Sequence, residues 1–346
     1  MGSRQAVQAI AERANLARDE AADRWASVVP GPGLIGEWSE LLRESGRLTL
    51  NFHPDRMTRR GCSVADGLAD DGAYRSQWVT GISAGSRSAV RGGERQRFER
   101  ELFEDAHDHL DPAAGEHPVY GALDLVLDEH GGSPRFGSSY VVLARHVRSR
   151  TTLCVGDSHL GPRDVGTFDE LSSILAGLAE QAARRELFGR GLGPDDLVAI
   201  LTREFRTGGA SRRLDGYIEA QVHGGVSLVE DVEAIVCDPS FRGTEIDDAL
   251  TRAGLRWGVD LRWHRGSELS VGAVPDDFRG PTMPSLARRV ARSDGIVDAR
   301  AIGLASAEAT FEEPTTAGDP PESMLQQLKY LWHTVLAFGS DAPAPG

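Results

Sequence analysis

Tyr217-Ile218-Glu219-Ala220-Gln221-Val222-His223 alternates apolar and polar side chains, and after Gly224-Gly225 and a short turn Val232-Glu233-Ala234-Ile235-Val236 supplies a second run rich in β-formers. Period-two alternation marks a strand, so both segments read as strands, with Glu219, Gln221 and His223 on one face of the first. Upstream, Leu48-Thr49-Leu50-Asn51-Phe52 alternates in the same way. Pro54, which cannot donate to a ladder, stops it and leaves His53, Asp55 and Arg56 at the mouth of a strand. Residues 140–143 and 151–155 look like a strand pair. Helical periodicity covers 168–188 and 194–205, between the strands, and 323–338, near the end. Two further helices, over 4–25 and 37–45, precede everything else and are separated by the breaker Val28-Val29-Pro30-Gly31-Pro32-Gly33. Blocks of helices and strands, rather than regular alternation, predict an α+β fold. The expected organisation is a helical extension over 1–47, a mixed β core over 48–265 with a helical insert at about 168–206, a C-terminal part of the core over 266–311, and a Pro/Ala-rich tail with one helix over 312–346.

The length of 346 residues suits one large domain or two modest ones. No run approaches the roughly 20 apolar residues of a membrane span, and the N-terminus lacks the apolar segment of a signal peptide, so a cytoplasmic protein, or a delivered effector, is expected. Cys62, Cys154 and Cys237 are odd in number and far apart, which disfavours a disulfide framework or a cysteine zinc site. Acidic residues outnumber basic ones by 52 to 38, giving a net charge of −14 that repels nucleic-acid backbones. Lys329 is the sole lysine. A GC-rich coding sequence gives the same skew, but it leaves any anion site to the planar, bidentate guanidinium.

Phosphate-loop, dinucleotide-fold, nucleophile-elbow and H-E-x-x-H signatures are all missing, which removes the P-loop, kinase, classical dehydrogenase, α/β-hydrolase and zincin readings. Three blocks remain. The first runs Asn51-Phe52-His53-Pro54-Asp55-Arg56 and continues in Asp71-Gly72-Ala73-Tyr74-Arg75 to Ser83. The second is Gly131-Gly132-Ser133-Pro134-Arg135-Phe136-Gly137, with Gly156-Asp157-Ser158-His159 beyond it. The third is the Glu219 strand and its turn. Gly-Gly flanked by Ser and Arg reads either as a loop stapled by hydrogen bonds or as a cradle of backbone amides for an anion.

Over roughly 48–264 the wording of these blocks resembles a bacterial domain-of-unknown-function family. The third block also resembles the last catalytic strand of the DNA-targeting ADP-ribosyltransferase toxins, with Glu219, Val222, His223, Val226, Leu228, Ile235 and Val236 in the matching places. In that superfamily a His or Arg stands on the first core strand, as His53 or Arg56 does here, and a Ser, Thr or Tyr on the next, as Tyr74 or the 80–83 segment does. The sequence departs from the pattern in having no S-T-S triplet and no E-x-E, since Gln221 follows Glu219 by two.

The resemblance implies an ADP-ribosyltransferase-like core that uses NAD as co-substrate. Cleaving the nicotinamide–ribose bond passes through an oxocarbenium-like state, which a carboxylate on the ribose 2′-hydroxyl stabilises. Glu219 is the expected carboxylate, and His53 positions the ribose or carboxamide. Arg56, Arg75 or Arg135 would pair with the pyrophosphate, and Tyr74 would stack on nicotinamide, with Ser83 and Gln221 as further cofactor contacts. Glu219 and His53 are then expected on adjacent central strands, opening into one pocket that the arginines approach. The acceptor, and the choice between transfer and hydrolysis, stay open. Two alternatives also remain: a metal-dependent hydrolase built from Asp157, His159, His53, Asp55 and His223, and a non-enzymatic protein whose acidic surface and tail recruit a partner.

Overall fold

The alternating segments become neighbours in one eight-stranded sheet. The computed structural model describes residues 2–29, 34–82, 89–111, 115–205, 214, 216–311 and 321–342. Three helices lead in: α1 (Gly2–Leu16), α2 (Arg18–Val28) and α3 (Ile35–Ser45). The expected single helix over 4–25 is interrupted at Ala17, so among the described residues three helices precede the sheet where two were predicted. Then follow β1 (Arg47–Phe52), α4 (Val64–Asp71), β2 (Ala73–Tyr74), α5 (Gln77–Thr80), α6 (Glu94–Phe103), β3 (Val119–Asp124), β4 (Ser139–Leu143), β5 (Thr151–Val155) and β6 (Val165–Thr167). The inserted helices are α7 (Ser172–Ala183) and α8 (Pro194–Leu201). After them come β7 (Ile218–Val222), β8 (Val226–Ser227), α9 (Leu228–Asp231), β9 (Val232–Cys237), α10 (Glu245–Trp257) and β10 (Asp260–Trp263). The last segment holds β11 (Leu269–Ser270), α11 (Met283–Val290), β12 (Ile296–Val297), α12 (Ala299–Phe311) and α13 (Pro321–Phe338).

The sheet order is β10-β9-β4-β1-β3-β7-β5-β6. Every neighbouring pair is antiparallel except β9 with β10. The class is therefore α+β, a large, mostly antiparallel sheet with helices. Two expected pairings fail. β4 and β5 are not partners: β4 pairs with β1 and β9, and β5 with β6 and β7. Nor are the strands of His53 and Glu219 adjacent, because β3 lies between β1 and β7. Alternation reports that a strand has a buried face and says nothing about its partner.

Leu48, Leu50 and Phe52 of β1, Ile218, Ala220 and Val222 of β7, and Ile174, Leu175 and Leu178 of α7 belong to one buried cluster beneath the sheet. A second cluster joins Leu269, Met283, Leu286, Val297 and Ile302 to Leu328, Leu331, Trp332 and Val335 of α13. The final helix is thus packed on the 269–302 segment by an apolar stripe, as its spacing requires. Trp332 Nε1 donates to the carbonyl of Pro134 at 2.8 Å, tying α13 to the 130–137 loop.

Candidate functional site

Alternation along β7 sends its apolar residues to the main core and its polar residues to the other face. Cross-strand neighbours share a face, and the register sets Cys154 of β5 opposite Glu219, and Thr152 of β5 and Tyr120 of β3 opposite Gln221. Above this polar face lies a cavity of about 450 Å³.

Glu219 stands at its floor, buried, with both carboxylate oxygens occupied. Oε2 accepts the Ser158 amide at 3.3 Å and Oε1 accepts Gln221 Nε2 at 2.9 Å. Burial, helped by nearby Asp157, raises its pKa to about 7 against the pull of those two donors. Behind it the hydrogen bonds form a chain. Gln221 Oε1 accepts from Thr152 Oγ1 at 2.7 Å, Thr152 Oγ1 lies 3.0 Å from His223 Nε2, and His223 Nδ1 lies 3.4 Å from His107 Nε2. Burial holds both histidines neutral, His107 down to about 4 and His223 well below its ordinary value. An amide oxygen only accepts, so the one Thr152 proton goes to Gln221, and His223 must then donate from Nε2 and accept at Nδ1. Every donor in the chain therefore points toward Glu219. Gln221, expected to touch a cofactor, instead lies behind Glu219 and outside the cavity lining.

The cavity lining is rich in cations. His53, Arg56, Tyr74, Arg75 and Arg135 all line the cavity with Glu219, so the sequence-predicted residues converge although their strands are not adjacent. Ser83 lies outside the described residues. Arg56 and His53 follow from the turn at Pro54, whose carbonyl accepts the Ala65 amide at 2.9 Å. Ser63 caps α4, and Gly72 ends it with φ +63°, a left-handed turn that Gly adopts without strain. That turn leads straight to Tyr74 and Arg75. Tyr74 OH donates to the Asn51 carbonyl at 3.4 Å, and its ring meets Phe52 edge-on.

The glycine-rich loop is stapled rather than an anion cradle. The amides of Gly132 and Ser133 donate to Thr49 Oγ1 and Asn51 Oδ1 at 2.9 and 3.1 Å, and those of Gly131, Phe136 and Gly137 go to carbonyls within the loop. Gly137 packs so closely on the Phe52 backbone that no side chain fits there. What the loop delivers is Arg135, whose guanidinium lies 5.0 Å from the Phe136 ring centre.

Sequence reasoning missed the contribution of α13 and its neighbours. Lys329, Tyr330 and His333, together with Arg279, close the cavity beside Arg135. The sole lysine is the signal in the sequence that points to this wall. The histidines register this positive field. His53 is lowered to about 3 by burial, Arg56 and Lys329, and His333 to about 2 by burial, Arg135, Arg279 and Lys329. Both are neutral donors and acceptors at physiological pH.

The metal grouping does not assemble. His223 is held in the Thr152 chain, away from the cavity, and among the described residues no group of three or more His, Cys, Asp or Glu side chains is placed to hold an ion. Asp55 is not part of the cavity lining. Its Oδ1 is shielded without a hydrogen-bond partner, and α12 passes so close at Gly303 that a Cβ there would overlap the carboxylate. Asp238, at the end of β9, is buried with Oδ1 capping Ser240 at 2.9 Å and Oδ2 unpartnered.

Residues 47–338 match a protein-family model described as Protein of unknown function (DUF3626). The chain belongs to that family. It is also 31% identical over 205 residues to the Gene 2 protein of Mycobacterium phage L5, and 28% identical over 198 residues to the Gene 2 protein of Mycobacterium phage D29. Each alignment takes in 56% of this chain and 68% of the phage protein. The DUF3626 match runs from β1 to the end of α13, so it includes Glu219, the arginines and the α13 residues that line the cavity. No helix among the described residues is long and apolar enough to cross a membrane.

Proposed function

We propose that this protein uses NAD as a substrate, breaking the nicotinamide–ribosyl bond and passing the ADP-ribosyl group to an acceptor, on a core of ADP-ribosyltransferase type. The observation that carries the proposal is the charge of a single cavity's lining. Glu219, Asp157 and Asp71 line it together with Arg56, Arg60, Arg75, Arg95, Arg135, Arg279 and Lys329. NAD carries both signs as well, with an anionic pyrophosphate and a cationic nicotinamide ring. A protein of net charge −14 that gathers cations around one cavity has a site suited to an anion.

In this reading the guanidinium groups take the pyrophosphate through paired hydrogen bonds. Tyr74 lies along the nicotinamide, and neutral His53 serves the ribose or carboxamide. Glu219 accepts from the ribose 2′-hydroxyl and faces the positive charge that grows on the ribosyl carbon, so its attraction strengthens as the bond breaks. The donors from Ser158 and Gln221 orient it before substrate arrives. A volume of about 450 Å³ is within the ordinary range of small-molecule sites, roughly 300–1,000 Å³.

The test is release of free nicotinamide from NAD by the purified protein, followed together with its melting temperature. NAD is expected to raise the melting temperature, because a ligand bound only to the folded state stabilises it, and nicotinamide is expected to accumulate. Neither effect at millimolar NAD, with a panel of acceptors present, would overturn the reading.

A further inference from the structure

Between β5 and Glu219 the segment Gly156-Asp157-Ser158-His159 brings to the cavity two side chains, Asp157 and His159, that have been given no step in the reaction. Gly156, at φ +85°, turns the chain out of the sheet, and the Ser158 amide is spent on Glu219. Asp157 and His159 flank that contact and both line the cavity. Asp157 Oδ1 accepts from His159 Nδ1 at 2.5 Å. A carboxylate on Nδ1 fixes the proton there, leaves the lone pair on Nε2, and stabilises the imidazolium that forms when Nε2 takes up a proton. About a fifth of each side chain is accessible, so the pair is reachable by a ligand.

Glu219 is poorly placed to take a proton from an acceptor as well. Beside the donors from Ser158 and Gln221, the proposed mechanism commits its remaining lone pairs to the ribose 2′-hydroxyl. A nucleophile that has to lose a proton therefore needs a second base.

Resting on the NAD reading above, we propose that His159, positioned by Asp157, is the general base for the acceptor, and that the acceptor is an oxygen nucleophile carrying a proton: water or a small-molecule hydroxyl. The acceptor oxygen bonds to the ribosyl C1′. The C1′–N bond breaks, its electron pair goes to the nicotinamide ring nitrogen, and the ring leaves neutral. The acceptor proton passes to His159 Nε2 and from there to solvent, so the step balances as NAD plus hydroxyl compound giving ADP-ribosyl ether or ADP-ribose, nicotinamide and one proton.

The experiment compares wild type, His159→Gln, Asp157→Asn and Glu219→Gln for nicotinamide release in water, with added glycerol, and with added sodium azide. Azide carries no proton and needs no base. His159→Gln is expected to lose about 10²- to 10⁴-fold with water and glycerol and to recover with azide, yielding an ADP-ribosyl azide. Asp157→Asn should lose part of that rate and recover likewise, which supplies a second variant if the first misfolds. Glu219→Gln should not recover, because azide does not replace the charge facing the ribosyl carbon. The ratio of glycerol adduct to ADP-ribose separates transfer from hydrolysis. A His159→Gln protein as fast as wild type in water overturns the proposal, as does one that folds and binds NAD yet stays equally slow with azide. Both results leave the NAD reading standing, whereas a wild type that releases no nicotinamide under any condition removes the reading and the base together.

Discussion

Two carboxyls buried at the sheet are raised by burial: Glu219 of β7 to about 7 and Asp238 at the end of β9 to about 6. Their surroundings differ. Glu219 has a donor on each oxygen, a directed chain of hydrogen bonds behind it, and a cavity in front. Asp238 has one oxygen in a cap and the other unpartnered, beside Asp55, whose own carboxyl is raised to about 7 by burial. A perturbed pKa is thus shared by a group arranged for chemistry and a group that only bears the strain of desolvation. Prearranged donors and access to a ligand tell them apart.

The sharpest way to break this comparison is to remove charge at Glu219. Glu219→Gln is expected to slow nicotinamide release by roughly 10²- to 10³-fold, as loss of a preorganised electrostatic group does, while the melting-temperature rise on adding NAD persists. Because the free protein holds Glu219 half-protonated near pH 7, kcat/KM for wild type should fall as pH drops through about 7. A flat profile from pH 6 to 8 would take the carboxylate out of the mechanism.

Thr152→Val probes the chain rather than the charge. It keeps the shape but leaves Gln221 Oε1 and His223 Nε2 without their shared partner, so Gln221 is no longer held against Glu219. We expect about a tenfold loss in kcat, the scale of one hydrogen bond, with the acidic limb of the pH profile moved upward. A slower variant with an unmoved limb would make Thr152 merely structural.

At Asp238 the expectation has the opposite sense. A carboxyl raised in the folded state stabilises the fold below its unfolded pKa, near 4, and that contribution is lost as pH climbs through about 6. Asp238→Asn keeps the cap to Ser240 and removes the unpaired charge. It should therefore be more stable than wild type by about 1–2 kcal/mol at pH 8, equal to it near pH 4, and unchanged in turnover. Chemical denaturation at the two pH values measures it, and a destabilised variant at pH 8 would mean that Asp238 has a partner of its own.

The strands of this contrast were legible in the sequence, but their arrangement was not. Alternation marked β1, β7 and β9 nearly to the residue, and it placed Glu219 and Gln221 on one face. It could not show that β3 separates β1 from β7, or that β4 turns to β9 rather than to β5, because pairing is settled by contacts between segments remote in sequence. The same limit hid Thr152, a hydroxyl in a run of β-formers whose role appears only once β5 lies beside β7. Arg56, Arg75 and Arg135 could be picked out by charge and by their glycine- and proline-rich surroundings. The wall supplied by α13 could not, since its apolar stripe foretold a packed helix and said nothing of what its other face would meet.

That wall has a consequence for how the protein is made. Glu219, Arg56, Arg75 and Arg135 leave the ribosome well before Lys329, Tyr330 and His333, and at roughly 5–20 residues per second the interval lasts several seconds. During that time the nascent chain carries a carboxylate floor without Lys329, and the Pro134 carbonyl waits for its Trp332 donor. The cavity becomes whole only when α13 docks, so whatever chemistry it performs is withheld from the cell until synthesis has passed that helix.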